Sequence, residues 1–110
     1  MARTTFKEKK IISAYQKSLE PYLRLDGVFV FGSTARGERT SSSDLDVIVL
    51  SRDFKKMSFM RRLRLLNRLR SGPALHVPMD IIGFTPDEFK SLKTSESPNL
   101  RRVYHEAKKM

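Results

Sequence analysis

Helically spaced apolar residues alternate along the chain with short, dense apolar runs. From Thr5 to about Glu20, the recurrence of Ile12, Tyr15, Leu19 and Tyr22 predicts an amphipathic helix. Thr5 and Glu8 have the spacing of a capping box, and Pro21 is expected to end or bend the helix. Asp26-Gly27 reads as a turn. Val28 to Phe31 reads as a buried strand that stops abruptly at Gly32-Ser33. A polar stretch from Thr34 to Ser43, with Gly37 and three consecutive serines, reads as a loop. Asp44 to Leu50 reads as a second strand. Met57 to about Ser71 predicts a second long helix, with Phe59, Leu63, Leu66 and Leu69 on the core side and Arg61, Arg64 and Arg68 roughly opposite. Ser71-Gly72-Pro73 stops it. A third strand is expected from about Val77 to Phe84, with Pro78 near its start. Thr85-Pro86-Asp87-Glu88 combines a cap, a proline at the first helical position and an N3 glutamate, which predicts a short helix to about Leu92. Ser97-Pro98 opens a last helix, with Leu100, Val103, Tyr104 and Ala107 on its buried side.

Strands interleaved with helices in so short a chain imply a small α/β sheet with helices packed on it. The 110 residues suit one small domain spanning 1–110, and 39% hydrophobic content allows a modest core. Association with a partner, as a homo- or hetero-oligomer, would add to the limited stability of such a domain. Cysteine is absent, which excludes disulfides, thiolate metal sites and cysteine nucleophiles and fits a reducing cytoplasm. No apolar run approaches the roughly 18 residues of a spanning helix. The start, MARTTFKEKK, lacks an apolar secretory segment, so a cytoplasmic protein without a membrane anchor is expected. Basic residues outnumber acidic ones 22 to 12, a net charge of +10 that attracts polyanions or an acidic protein face.

Against that charge, three carboxylates stand in apolar strand contexts. Residues two apart on a strand share a face, so Asp44 and Asp46 are expected to project together. Side by side next to Val47, Ile48 and Val49, they would repel each other unless a cation lay between them. Oxygen ligands favour Mg²⁺, with Mn²⁺ as the alternative. Asp80 lies between Met79 and Ile81 on the third strand, and a neighbouring strand could bring it to the same metals. Asp26, Asp53 and Asp87 instead occupy expected turns or helix starts. Gly32 follows a strand directly, which lets the backbone approach a ligand closely. The amides that follow, the Ser33 hydroxyl and the guanidinium of Arg36 together suit phosphate oxygens.

Taken together, Phe31-Gly32-Ser33-Thr34-Ala35-Arg36-Gly37 through Ser43-Asp44-Leu45-Asp46 resembles the signature of the DNA polymerase β-like nucleotidyltransferases: Gly-Ser, ten residues, then Asp-x-Asp. The fuller form, with Ala-Arg-Gly and Ser-Asp, looks like the minimal nucleotidyltransferases of prokaryotes, the MNT proteins. The resemblance implies an α/β (α+β) fold, a small mixed sheet of about three to four strands flanked by helices. It implies that Asp44, Asp46 and a later strand acid, for which Asp80 is the candidate, hold two divalent ions. Gly32, Ser33 and Arg36 would then bind the nucleotide phosphates. It further implies transfer of AMP from ATP to a hydroxyl. Family members commonly pair with helical HEPN proteins, and in characterised pairs the MNT antitoxin modifies a tyrosine of a HEPN toxin (a type VII toxin–antitoxin pair). Larger superfamily members carry extra domains that grip base or acceptor. With about 26 residues after the third strand, the acceptor site is expected to be shallow or completed by another chain.

Two other readings stand beside this one. In the first, the chain is a catalytically silent binding module that neutralises a helical partner by occlusion. In the second, Arg61, Arg64, Arg68 and Lys108-Lys109 bind nucleic acid, although a solvated helix face or an acidic partner protein accounts for the same arginines more simply. His76 and His105 lack metal-like spacing and read as structural or surface residues.

Overall fold

The computed structural model describes residues 6–38, 40 and 44–110. Its elements are α1 (Phe6–Leu19), β1 (Leu25–Val30), α2 (Gly32–Arg36), β2 (Leu45–Ser51), α3 (Phe59–Arg68), β3 (Met79–Phe84), α4 (Pro86–Ser91), α5 (Pro98–Glu106) and β4 (Lys108–Lys109). Short 3₁₀ turns cover Arg52–Lys56, Gly72–Leu75 and Leu92–Thr94. The four strands form one mixed sheet in the order β3-β2-β1-β4. β1 pairs antiparallel with β2 and with β4, whereas β2 and β3 run parallel and are joined by the crossover through α3. The expected small mixed sheet flanked by helices is therefore present. Among the described residues, no helix is long and apolar enough to cross a membrane.

Strand alternation divides the apolar residues between two faces. Leu45, Val47 and Val49 of β2 join Val28, Val30 and Ile81 in a core covered by Ile12, Tyr15 and Leu19 of α1 and Leu66 of α3. Ile48 and Leu50 point the other way and pack with Phe84, Phe89 and Leu92, flanked by Val103 and Tyr104 of α5. Tyr15 is fully buried. Its hydroxyl donates to the Leu66 carbonyl at 2.7 Å, fastening α1 to α3. α4 starts as its sequence dictates: the Glu88 amide donates to Thr85 Oγ1 at 3.1 Å, and the Thr85 amide donates to Glu88 Oε1 at 2.8 Å.

Several expectations change. Asp26-Gly27 is not a turn. It lies within β1, with a register shift between Leu25 and Gly27, because pairing with β2 outweighs the local turn preference. Tyr22 follows the end of α1 and is exposed rather than packed. α3 is shorter than expected and rotated about its axis. Phe59 and Leu63 are exposed, and Arg62 is buried among the residues of the inner face. That orientation follows from the contacts of Arg62. Its guanidinium donates to the carbonyls of Met57, Phe54 and Gly83 and to both oxygens of Glu88, the shortest at 2.6 Å. Gly83 permits the close approach, since a Cβ there would lie 3.0 Å from the Phe54 ring and 3.1 Å from Leu66. On α5, Leu100 is exposed while Val103 and Tyr104, with Ala107 just past its end, are partly buried. Lys108-Lys109 forms the edge strand β4, which the sequence pattern did not indicate. The Thr5 end of the expected capping box and the three serines 41–43 lie outside the described residues.

Candidate functional site

The site begins where β1 leaves the sheet. Phe31 is extended, and its amide donates to the Asp46 carbonyl at 3.2 Å. Gly32 then takes φ +56° and opens α2. A left-handed conformation costs an L-residue about 1–2 kcal/mol. A Cβ on Gly32 would also lie 3.1 Å from Asp46 Oδ2. Glycine thus serves both the backbone turn and the close approach to a carboxylate. No side chain caps the start of α2, so its first amides remain available at this end of the sheet.

Asp46 is half-buried on β2 and is the register partner of Asp80 on β3. Aligned residues on adjacent strands project to the same face, so the two carboxylates neighbour each other. Asp44 is exposed, one residue before β2. Ser33 Oγ and Thr34 Oγ1 donate to Asp46 Oδ2 over long contacts of 3.3 and 3.4 Å. Thr34 also accepts from the Asp46 amide at 2.9 Å. Sequence reasoning missed Thr34: fully buried, it ties the Gly-Ser turn to the carboxylate strand, and only its place directly after Gly-Ser hinted at that role. Burial raises the Asp46 carboxyl above its ordinary value; the Ser33 hydrogen bond opposes this, and the charge of Asp80 raises it further.

Other carboxylates in the molecule have found cations. Asp26 pairs with Arg52 at 2.7 Å, Asp53 with Arg24 at 2.7 Å, Glu88 with Arg62 at 2.6 Å and Glu106 with Arg36 at 2.8 Å. Among the described residues, Asp44, Asp46 and Asp80 have no such partner; the exposed Glu20, Asp87 and Glu96 lack one too, and Asp46 alone of these six is half-buried. Carboxylate oxygens at this end of the sheet are the donor type that hard divalent cations prefer. They do not enclose one: among the described residues, no group of three acidic, histidine or cysteine side chains converges into a metal cage. Mg²⁺ is ordinarily held by one or two carboxylates with water and substrate phosphates completing its octahedron, so an open donor set suits it.

Arg36 stands differently from the role expected of it. Its Nε donates to Glu38 at 2.6 Å and its Nη1 donates to both oxygens of Glu106 at 2.9 and 2.8 Å. These carboxylates, Glu38 first, hold the guanidinium above its ordinary value. The Glu106 pair fastens α2 to the end of α5, and a phosphate would have to compete with both carboxylates. His76 and His105 are both exposed and lie outside this arrangement.

A Gly-Ser turn set against strand aspartates at one end of a mixed sheet is the frame on which the family assignment falls. The chain belongs to the nucleotidyltransferase domain family, whose match spans residues 9–105. It is a minimal nucleotidyltransferase. Two proteins of Methanocaldococcus jannaschii named as candidate protein adenylyltransferases are similar to it. One is 31% identical over 77 residues, covering 70% of this chain and 77% of that protein. The other is 28% identical over 80 residues, covering 73% and 78%. The crystal structure of a candidate nucleotidyltransferase from Sulfolobus solfataricus shares the fold, with a TM-score of 0.57, 23% identity, and coverage of 76% of this chain and 75% of that one.

Proposed function

We propose that this nucleotidyltransferase moves AMP from ATP to a hydroxyl of a partner protein, with Mg²⁺ as the metal and Mn²⁺ as the alternative. The observation that carries the reading is the half-buried, unneutralised Asp46, facing Asp80 and set against the Gly32-Ser33 turn. The names of the two Methanocaldococcus jannaschii relatives support a protein acceptor.

The acceptor oxygen attacks the α-phosphorus in line. A new O–P bond forms, the bond to the bridging oxygen breaks, and pyrophosphate leaves with the electron pair. Gly32 and the backbone amides after it bind the β- and γ-phosphates, and Ser33 adds its hydroxyl. Asp44, Asp46 and Asp80 would hold divalent cations, which supply charge neutralisation at the attacking and leaving oxygens. Asp80, exposed on its strand, receives the acceptor and passes its proton to solvent. Arg36 contributes at the pyrophosphate by exchanging a carboxylate for a phosphate.

The resemblance to MNT proteins makes a tyrosine of a HEPN partner the first acceptor to test, with this chain as the antitoxin. Co-expression with the genomic neighbour, followed by intact mass after incubation with ATP and Mg²⁺, tests the reading. Addition of AMP units that the Asp44→Asn/Asp46→Asn double variant fails to make is expected. A neighbour that gains no mass, or gains it equally with the double variant, would sink the proposal.

A further inference from the structure

α3 leaves an apolar surface beside the candidate site. Phe59, Met60 and Leu63 are 56%, 61% and 37% exposed. With Ile82, Gly83 and Asp80 they line a groove of about 250 Å³. The Phe59 ring is fixed from behind: it meets Phe84 edge-on with centroids 6.0 Å apart, and the Arg62 guanidinium lies 4.6 Å from its centroid. A rigid aromatic ring with an exposed side is the kind of surface that anchors a binding partner at low entropic cost. The same helix presents Arg61, Arg64 and Arg68, which line a separate depression with Met57 and Leu65. None of these three arginines is in an ion pair among the described residues.

We infer that the α3 groove is the acceptor-docking surface, and that its occupant is a protein segment with apolar side chains flanked by acidic ones. The inference rests on the proposed protein acceptor and adds where that acceptor sits. Two features select the occupant. The groove runs to Asp80, so an apolar side chain seated between Phe59, Met60 and Leu63 places a neighbouring hydroxyl beside that carboxylate. Arg64 follows Met60 by four positions and so borders the groove, with Arg61 and Arg68 further round the exposed helix surface; a segment crossing α3 meets this charge, which complements acidic residues flanking the apolar one. A nucleic acid would use the arginines but would bring no aliphatic side chain to Met60 and Leu63.

The test uses a fluorescein-labelled peptide, Glu-Glu-Leu-Tyr-Leu-Glu-Glu, and its counterpart with lysine in place of every glutamate. Anisotropy measures binding without ATP, and label from α-³²P-ATP measures transfer. The acidic peptide is expected to bind at least tenfold more tightly than the lysine peptide. Met60→Glu, Leu63→Glu and the Arg61→Glu/Arg64→Glu double variant should each weaken it at least tenfold. The same changes should raise the peptide KM and leave ATP affinity unchanged. All four positions are exposed, and retained Tm confirms that the variants fold. Binding that all these variants leave unchanged overturns the inference even if the peptide is labelled, and the transfer reading survives. Groove-dependent binding without labelling supports the docking surface and counts against transfer to this hydroxyl. An oligouridylate that binds more tightly than the acidic peptide, and is lost in the same variants, overturns the inference in favour of RNA.

Discussion

Replacing Asp46 by asparagine should disable the enzyme and stabilise the metal-free protein. Asp46 and Asp80 are register partners, with Cα atoms about 4.8 Å apart across neighbouring strands. Carboxylates separated by about 5–6 Å repel by roughly 3 kcal/mol at an effective dielectric of 20 and by less than about 1 kcal/mol in water. Asp80 is exposed, so the value lies near the lower end, at about 1 kcal/mol. Burial adds to the cost of ionising Asp46, and its folded-state carboxyl is raised for that reason first. An acid whose value is raised on folding destabilises the fold once ionised, so neutral asparagine relieves the cost at pH 7. Asparagine still accepts hydrogen bonds from Ser33 and Thr34 through its side-chain oxygen. The expected gain of about 1 kcal/mol corresponds to a Tm about 4 °C higher in a domain of this size. Thermal denaturation in EDTA measures it, and a Mg²⁺ titration completes the comparison. Mg²⁺ should raise the wild-type Tm and leave the variant nearly unmoved, since binding to the native state alone stabilises it. Transfer activity should fall by more than about 100-fold, the upper range for losing even an outer partner of a metal site. A variant less stable than wild type in EDTA, or one that gains equally from Mg²⁺, would refute the charge argument.

Arg62→Ala should cost about 3–5 kcal/mol, because it strips Glu88 and three backbone carbonyls of a buried partner; Arg62→Met, which keeps the packing volume, should recover part of this in denaturant unfolding. The Arg62 hydrogen bond lowers the Glu88 carboxyl below its ordinary value of 4.5, so its stabilisation is complete above that pH and is lost as pH falls through the lowered value. Glu88→Gln should therefore flatten the fall in stability below about pH 4.5 in an acid titration followed by circular dichroism. Gly32→Ala should cost about 1–2 kcal/mol through its positive φ, and more in activity than in stability, because the added Cβ presses on Asp46 Oδ2. Denaturant unfolding and ATP transfer, measured on the same preparation, separate the two losses.

What could be read from the sequence was local or paired by spacing. The α4 start was legible because Thr85, Pro86 and Glu88 satisfy one another within four residues. The Gly32-Ser33 turn and the Asp46 strand were legible because a dense apolar run ends at the first and continues from the second. The juxtaposition of Asp46 with Asp80 was only an expectation, since strand order and register are set by packing of the whole sheet. Arg62 was not legible. Helical periodicity treats arginine as an outer residue, and its partners Phe54, Gly83 and Glu88 come from elsewhere in the fold. The same cause misplaced Phe59 and Leu63, which a rotation about the axis brings outward. Lys108-Lys109 carries no strand preference; it pairs because the free edge of β1 offers hydrogen bonds to whatever follows α5. The salt bridge from Arg36 to Glu106 spans most of the chain, and nothing near either residue announces it.

The Asp46 end of the sheet is proposed to transfer a nucleotide rather than a terminal phosphate. Parallel incubations with α-³²P-ATP and γ-³²P-ATP, the co-expressed neighbour and Mg²⁺ test it most directly. Label should enter the neighbour from the α position alone, disappear with EDTA, and be absent with Asp44→Asn/Asp46→Asn. Label entering from the γ position, or from the α position with the double variant, would show that these aspartates do not direct nucleotide transfer.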